Sequence, residues 1–361
     1  MDGDTRRQMD PVRHPDARPY MPSPQQYIDA AKQTSPPPKQ PTSKPPKPRR
    51  RFGIKRFIFT FLGLFILAAV LYAGYLVTIV AKISTNSWQL GGLSEDSGGR
   101  TNLLVLGVGD PGHAGENLSD TMMVISLDSG THRIAQVSIP RDLRVLIPGY
   151  GYSKINAANA YGGEVLAEHV VSNTLNAQID YYVQTDFSGL KDIVDAVGGV
   201  DVNVTQRLVD TEYPCDDNQY AVCGLDIEPG LQHMDGARAL QYVRCRKGTC
   251  GNDFGRAARQ QELLGLLKPK VLDPALLLHP DKLTRLTTAV QKSIKTNLGL
   301  FQLLELANRF RTDYSNRPLN LVLSTAPGGL LKGDPGGSSD LLPIGGDFSA
   351  IADKFKTIFS D

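Results

Sequence analysis

Residues 238–259 hold Arg238, Arg244, Arg246, Lys247, Arg256 and Arg259 against a single acid, Asp253. A guanidinium presents a rigid fork of N–H donors that matches the oxygens of a phosphate two at a time, so an arginine-rich cluster is suited to gripping phosphate or pyrophosphate. Arg256, Arg259 and Gln260 stand at i, i+3 and i+4 of a helical pattern and are expected to share a face. Arg244 and Arg246 close the preceding helical pattern, where positive charge also complements the helix dipole. A solvated basic helix face is the bland alternative. Two features favour an anion site: arginine dominates over lysine, and the cluster sits in a segment of opposite net charge.

A second group lies upstream. Asp110 and Asp120 flank one loop, in "LLVLGVGDPGHAGENLSDTMM", and "SIPRDLRV" adds Arg141, Asp142 and Arg144 just after an apolar run. Mg²⁺ is usually held by one or two carboxylates together with substrate phosphates, so two aspartates beside an arginine cluster suit that ion; the same aspartates could instead only cap turns. Gly107, Gly109 and Gly112 fit G-x-G-x-x-G. That fingerprint needs a helix directly after the glycines. Here Pro111, Gly115 and Asn117 continue the loop, and "TMMVISLD" reads as another strand, which argues against a dinucleotide site.

These side chains need a scaffold. Apolar runs at 102–108, 121–127 and 133–139, "YYVQT" and "VDVNV" read as strands. Helical spacing appears at 163–176 and 186–197, after Asp235, after Phe254, near 282–293 and 298–310, and near 349–359, with a late strand at "LNLVLST". The pattern is α/β or α+β in a single domain over 100–361.

Before that domain the composition changes. Residues 1–56 carry 13 Lys/Arg against 5 Asp/Glu, a net of +8 in a chain of net +2, so the remainder carries −6. This Pro- and Lys-rich stretch reads as a disordered cytoplasmic tail. Residues 57–80 carry no charge and are long enough to cross ~30 Å of hydrocarbon. Seven Lys/Arg precede them in "KPPKPRRRFGIKR", and only Lys82 follows before Arg100, which places the N-terminus on the cytoplasmic side of the cell membrane and residues 100–361 outside, after a polar linker at 81–99. Nucleic acid is a poor partner for an acidic exported domain. All four cysteines, Cys215, Cys223, Cys245 and Cys250, fall in the exported part. Local bridges, Cys215–Cys223 and Cys245–Cys250, are the simplest outcome, although four cysteines allow three pairings.

The pieces "LLVLGVGD", "SDTMM", "SIPRDLRV", "KINAANAYGG", "VDAVGGVDV", "MDGARALQYVRCR" and "DFGRAARQ", in this order, resemble the LytR-CpsA-Psr family. The resemblance implies a three-layer α/β/α sandwich with a mixed central sheet behind one transmembrane helix. It implies a phosphotransferase that moves a glycopolymer (wall teichoic acid, capsule or arabinogalactan-like) from a polyprenyl-pyrophosphate carrier to peptidoglycan, with pyrophosphatase-like hydrolysis as a side activity. By position, Asp110 and Asp120 match the family's Mg²⁺ ligands, and Arg141, Arg244, Arg246, Arg256 and Gln260 its pyrophosphate-binding set. Asp142, Arg144, Lys154, Asp253 and Arg259 lie in matching motifs, with Asp142 or Asp253 as general base. Leu118 stands where many relatives carry arginine, a contact that Arg144 could supply. The competing reading is a non-catalytic exported sensor or scaffold that binds an anionic wall polymer or polyprenyl phosphate.

Overall fold

The computed structural model describes residues 24–25, 54–84, 91–112, 115–215, 220–273, 275–276, 279–312 and 318–360. The chain divides into two units, Met1–Gly63 and Leu64–Asp361. Of the first unit only 24–25 and the helical residues 54–63 are described, so the predicted basic tail lies almost wholly outside the described residues. Helix α1 (Ile54–Ile83) runs unbroken through the predicted apolar span. Its side chains are described chiefly over 61–75. Among the described residues, no helix is long and apolar enough to cross a membrane.

Within the second unit the elements follow in order: β1 (Arg100–Gly107), β2 (Thr121–Asp128), β3 (Arg133–Ser138), β4 (Arg144–Ile147), β5 (Gly151–Lys154), α2 (Ala157–Leu175), β6 (Tyr181–Thr185), α3 (Phe187–Ala196) and β7 (Val200–Val204). Then come β8 (Leu208–Asp210), β9 (Leu225–Ile227), β10 (Gly230–Met234), α4 (Gly236–Arg244), α5 (Asp253–Val271) and α6 (Pro280–Ser293). The chain closes with β11 (Ile294–Thr296), α7 (Leu300–Thr312), β12 (Leu319–Val322), β13 (Leu331–Gly333), β14 (Leu341–Pro343) and α8 (Ser349–Lys356).

The central sheet has the order β11-β6-β1-β2-β3-β12. It is mixed: β1, β2 and β3 form an antiparallel meander, while β6 joins β1 and β12 joins β3 in parallel. Successive side chains of a strand point to opposite faces, so a central strand covered on both faces is apolar throughout. Every residue of β2 after Thr121 is accordingly buried. Leu104, Leu106, Met122, Val124 and Val137 pack with Val170 and Leu175 of α2 and Phe355 of α8. On the opposite face, Leu103, Met123, Ile125 and Leu127 form a cluster with Leu298, packed by Leu264 of α5 and Leu303 and Leu306 of α7. Helices therefore cover both faces. A third cluster joins Val194, Val200, Val202, Ile227, Met234, Leu240 and Leu263, contributed by α3, β7, β9, β10, α4 and α5.

Two differences from the sequence pattern have local causes. The helix expected from 163 begins at Ala157, because a first turn and a longer helix meet across Gly162 and Gly163, whose φ values of −146° and 68° break the helical path. The β4–β5 and β8–β9 hairpins and the β13–β14 pair are strands of three or four residues, too short to show the alternation that identifies longer ones.

Candidate anion site

The loop from β1 to β2 joins strand to antiparallel strand. A Cβ at Gly107 would lie 2.9 Å from the Thr121 side chain, so this glycine lets β1 close against β2 rather than approach a cofactor. Asp120 immediately precedes β2 and Arg141 follows β3, so adjacent antiparallel strands deliver both to one end of the sheet. Arg141 Nη1 donates to Asp120 Oδ1 at 2.6 Å. Arg141 Nε lies 3.8 Å from both Asp142 Oδ2 and Asp253 Oδ2. Burial works against the charge of Arg141, but Asp120, then Asp253 and Asp142, outweigh it, and its pKa is raised.

The second half of the site comes from α4, α5 and the turn between them. Asp235 caps α4, accepting from Arg238 N, and Asn252 caps α5, accepting from Phe254 N and Gly255 N. Arg256 projects from the first turn of α5, and its Nη2 donates to the main-chain oxygen of Asp120 at 3.1 Å and lies 3.1 Å from Asp253 Oδ1. Burial lowers the pKa of Arg256, with Asp253 opposing and Arg141 adding to the effect. One turn on, Gln260 Nε2 donates to Thr121 Oγ1 at 2.8 Å. Arg244, at the last turn of α4, lies over the Phe187 ring at 4.4 Å and the Tyr213 ring at 5.6 Å. Such cation–π contacts hold a guanidinium in place before any ligand arrives.

These groups line one cavity of about 330 Å³, with Asp120, Thr121, Arg141, Arg244, Arg246, Lys247, Arg256 and Gln260 among its walls. The positions expected to bind pyrophosphate at Arg141, Arg244, Arg246, Arg256 and Gln260 are thus brought together. Leu118 also lines the cavity, where its side chain offers no polar group.

Other expected residues stand elsewhere. Arg259 stands apart from the cavity walls: it is buried, and its guanidinium donates to Tyr242 O and Cys250 O at 2.9 Å each and to Cys245 O. It ties the end of α4 to the following turn and does not line the anion cavity. Its pKa is lowered by that burial. Arg144 pairs with Asp340 at 3.7 Å on the outward side of β4 and is not among the cavity walls that Leu118 joins. Lys154 does not line the cavity either; its Nζ reaches Asp142 Oδ1 at 2.6 Å and thereby backs the carboxylate beside Arg141. Asp142 and Asp253 adjoin Arg141 without being among the cavity walls, each facing two cations.

Asp110 is held at the start of α3, where its carboxylate accepts from Ser188 N at 2.8 Å and Ser188 Oγ at 3.0 Å. Asp110 and Asp120 are hard oxygen donors of the kind Mg²⁺ takes, and one Asp120 oxygen lies outside the Arg141 pair. Among the described residues, the one three-residue ligand group is Asp210 with Cys245 and Cys250, and those sulfurs are tied in a disulfide. A protein-only metal cage is therefore not formed there, whereas an ion shared between carboxylates and substrate phosphates fits the donor set.

Sequence reasoning missed the supports. Asp210 is 2% exposed, and its carboxylate accepts from Glu212 N, Arg246 N and Lys247 N, fixing the turn that carries Arg246. Gln261, next to Gln260, points into the sheet and donates to Gln136 O, Ser138 Oγ and Leu321 O. Only a buried position distinguishes such residues, and no local pattern marks it. Cys215–Cys223 and Cys245–Cys250 are both bonded, the local pairing favoured by spacing.

The TagU polyisoprenyl-teichoic acid–peptidoglycan teichoic acid transferase of Bacillus anthracis is 37% identical over 216 residues, covering 59% of this chain and 66% of the relative, just under two thirds of its length. The TagU of Enterococcus faecalis is 33% identical over 215 residues, with the same coverage of 59% and 66%. Among solved structures, B. subtilis TagV superposes with a TM-score of 0.57 at 26% identity, over 73% of this chain and 99% of its own. A structure of TagT bound to LI-WTA gives 0.56 at 23% identity, over 78% and 97%, a likeness of fold. The LytR_cpsA_psr family model matches residues 79–324, which contain every wall of the anion cavity, and with this match the chain belongs to that family.

Proposed function

We propose that this protein is a membrane-anchored phosphotransferase that moves an anionic glycopolymer from a polyprenyl-pyrophosphate carrier to peptidoglycan. The observation that carries the reading is the convergence of Arg141, Arg244, Arg246 and Arg256 on one cavity beside Asp120. Four guanidiniums there exceed what a single phosphate needs and suit the two phosphoryl groups of a pyrophosphate.

The acceptor hydroxyl attacks the phosphorus that bears the glycopolymer. A new P–O bond forms, the P–O bond to the bridging oxygen breaks, and polyprenyl phosphate leaves. The hydroxyl proton passes to a carboxylate, for which Asp142 and Asp253 are the candidates beside Arg141. Charge grows on the leaving phosphate, and fixed guanidiniums stabilise it without reorganising. Asp120 and Asp110 would hold Mg²⁺, which when bound supplies further neutralisation of phosphate charge. With no acceptor, water attacks the same phosphorus and yields the hydrolytic side activity.

Large apolar side chains of α1 point outward, with Phe61, Phe65 and Leu71 each 65% exposed. No described helix is by itself long and apolar enough to cross a membrane; the grounds for α1 as the single span are these exposed apolar side chains and the uncharged run 57–80, with the N-terminus on the cytoplasmic side and the disulfide-bearing unit outside.

The test supplies the purified chain with a polyprenyl-pyrophosphate-linked anionic glycopolymer and peptidoglycan, with and without chelator. Polymer covalently attached to peptidoglycan and released polyprenyl phosphate are expected, both lost with chelator and in Asp120→Asn. Tight binding of the carrier without any phosphate release would overturn the catalytic reading in favour of a sensor or scaffold.

A further inference from the structure

Beside the cavity, the β4–β5 hairpin carries an exposed strip that the phosphate chemistry does not use. Its register pairs Arg144 with Lys154 and Leu146 with Tyr152, so these four side chains share the outward face. Val145 and Ile147, on the other face, are buried. Tyr152 is 70% exposed and Leu146 58%. Next to them Tyr150, 55% exposed, stacks on Tyr161 of α2 with ring centroids 4.5 Å apart, and its hydroxyl donates to Tyr161 O at 3.0 Å. The Arg144 guanidinium lies 5.8 Å from the Tyr152 ring centroid. Each ring is thus propped by a neighbour before a ligand arrives, which reduces the ordering cost of binding.

The strip is continuous with the catalytic groups. Lys154 at its edge bonds Asp142, and Asp142 faces Arg141 of the cavity wall. Tyr152 is two residues further on, about 7 Å along the strand, roughly the length of one sugar ring. Clustered exposed apolar rings usually mark an interaction surface. Flat rings suit the C–H face of a pyranose, while tyrosine hydroxyls, Lys154 and the Arg144–Asp340 pair at the rim can bond its hydroxyl and charged groups. The charged rim disfavours burial in acyl chains.

We propose that this hairpin strip binds the glycan strand of the acceptor and guides a hydroxyl toward the phosphate at Arg141; the inference rests on the transfer reading above. The acceptor fits here better than the donor because Arg244, Arg246 and Arg256 grip the donor from α4, α5 and their connecting turn. The strip instead begins at Asp142, a carboxylate able to take the incoming hydroxyl's proton.

The test uses the full chain in detergent and its Tyr152→Ala and Tyr150→Ala variants, with Tyr152→Trp as the conservative control. Binding of peptide-free peptidoglycan oligosaccharides is read by saturation-transfer NMR and calorimetry, and polyprenyl-pyrophosphate binding is measured separately. The alanine variants are expected to weaken oligosaccharide binding about tenfold per ring and raise the acceptor KM in step. The tryptophan variant is expected to retain binding, with melting temperature and carrier affinity unchanged throughout. Unchanged oligosaccharide affinity in both alanine variants overturns the proposal. So does a selective loss of binding to anionic phospholipid vesicles, which would make the strip a membrane contact. If the parent protein binds oligosaccharide through Tyr152 yet transfers nothing, the transfer reading fails while the glycan surface stands.

Discussion

Arg244 and Arg259 belong to one arginine-rich stretch but answer to different neighbours. Arg244 lies against the rings of Phe187 and Tyr213 at the cavity wall, so Arg244→Ala is expected to lower transfer about 10²–10³-fold while the protein still melts within a few degrees of the parent. Arg259 serves three buried carbonyls that a lysine cannot span. Arg259→Lys is therefore expected to cost about 1–3 kcal/mol in chemical denaturation, with activity falling because the α4–α5 turn loosens. Arg256 and Arg259 meet different surroundings for a geometric reason. At about 100° per residue, Gln260 lies some 40° from Arg256 on one side and Arg259 some 60° on the other. A face wide enough to include all three has two edges, and only tertiary packing decides which edge meets the cavity. Arginine identity and motif order made Arg141, Arg244, Arg246 and Arg256 legible; Asp210 and Gln261 act through burial, which no spacing reveals.

At the level of elements, the long strands and helices could be read because their apolar periodicity extends over a whole segment. The β4–β5 hairpin, which carries the tyrosines, could not, since four residues per strand give too little pattern. The connection from α2 to β6 holds a further electrostatic feature. Burial raises the pKa of Glu168 on α2 above its ordinary 4.5, and Asp180, just before β6, adds to the rise. Ionising Glu168 in the folded state therefore costs free energy that the unfolded chain does not incur. This cost is absent below the ordinary value, grows as pH rises through the raised one, and is complete above it. Glu168→Gln is expected to melt at a higher temperature than the parent at neutral pH, with the gap closing as pH falls below about 4.5. A gap that persists at acidic pH would point to packing rather than charge.

For the whole molecule, charge asymmetry and the apolar α1 lead to a topology that biochemistry can check. The full chain is expected to stay in the membrane pellet after alkaline carbonate extraction. Protease added to intact protoplasts is expected to degrade the unit that holds the four cysteines and to spare an epitope fused at the N-terminus. Cleavage of that epitope would reverse the orientation. The sheet and its helices are not separable from the anion site either. Helix α5 gives Leu264 to one core and Leu263 to another, bonds the sheet through Gln261, and turns Arg256 and Gln260 into the cavity. A single rod thus serves as keystone to two interiors and as the mount for the ligand grip. Gradual warming is expected to leave no half-melted species that still grasps phosphate; anion binding and the cooperative fold are expected to vanish together.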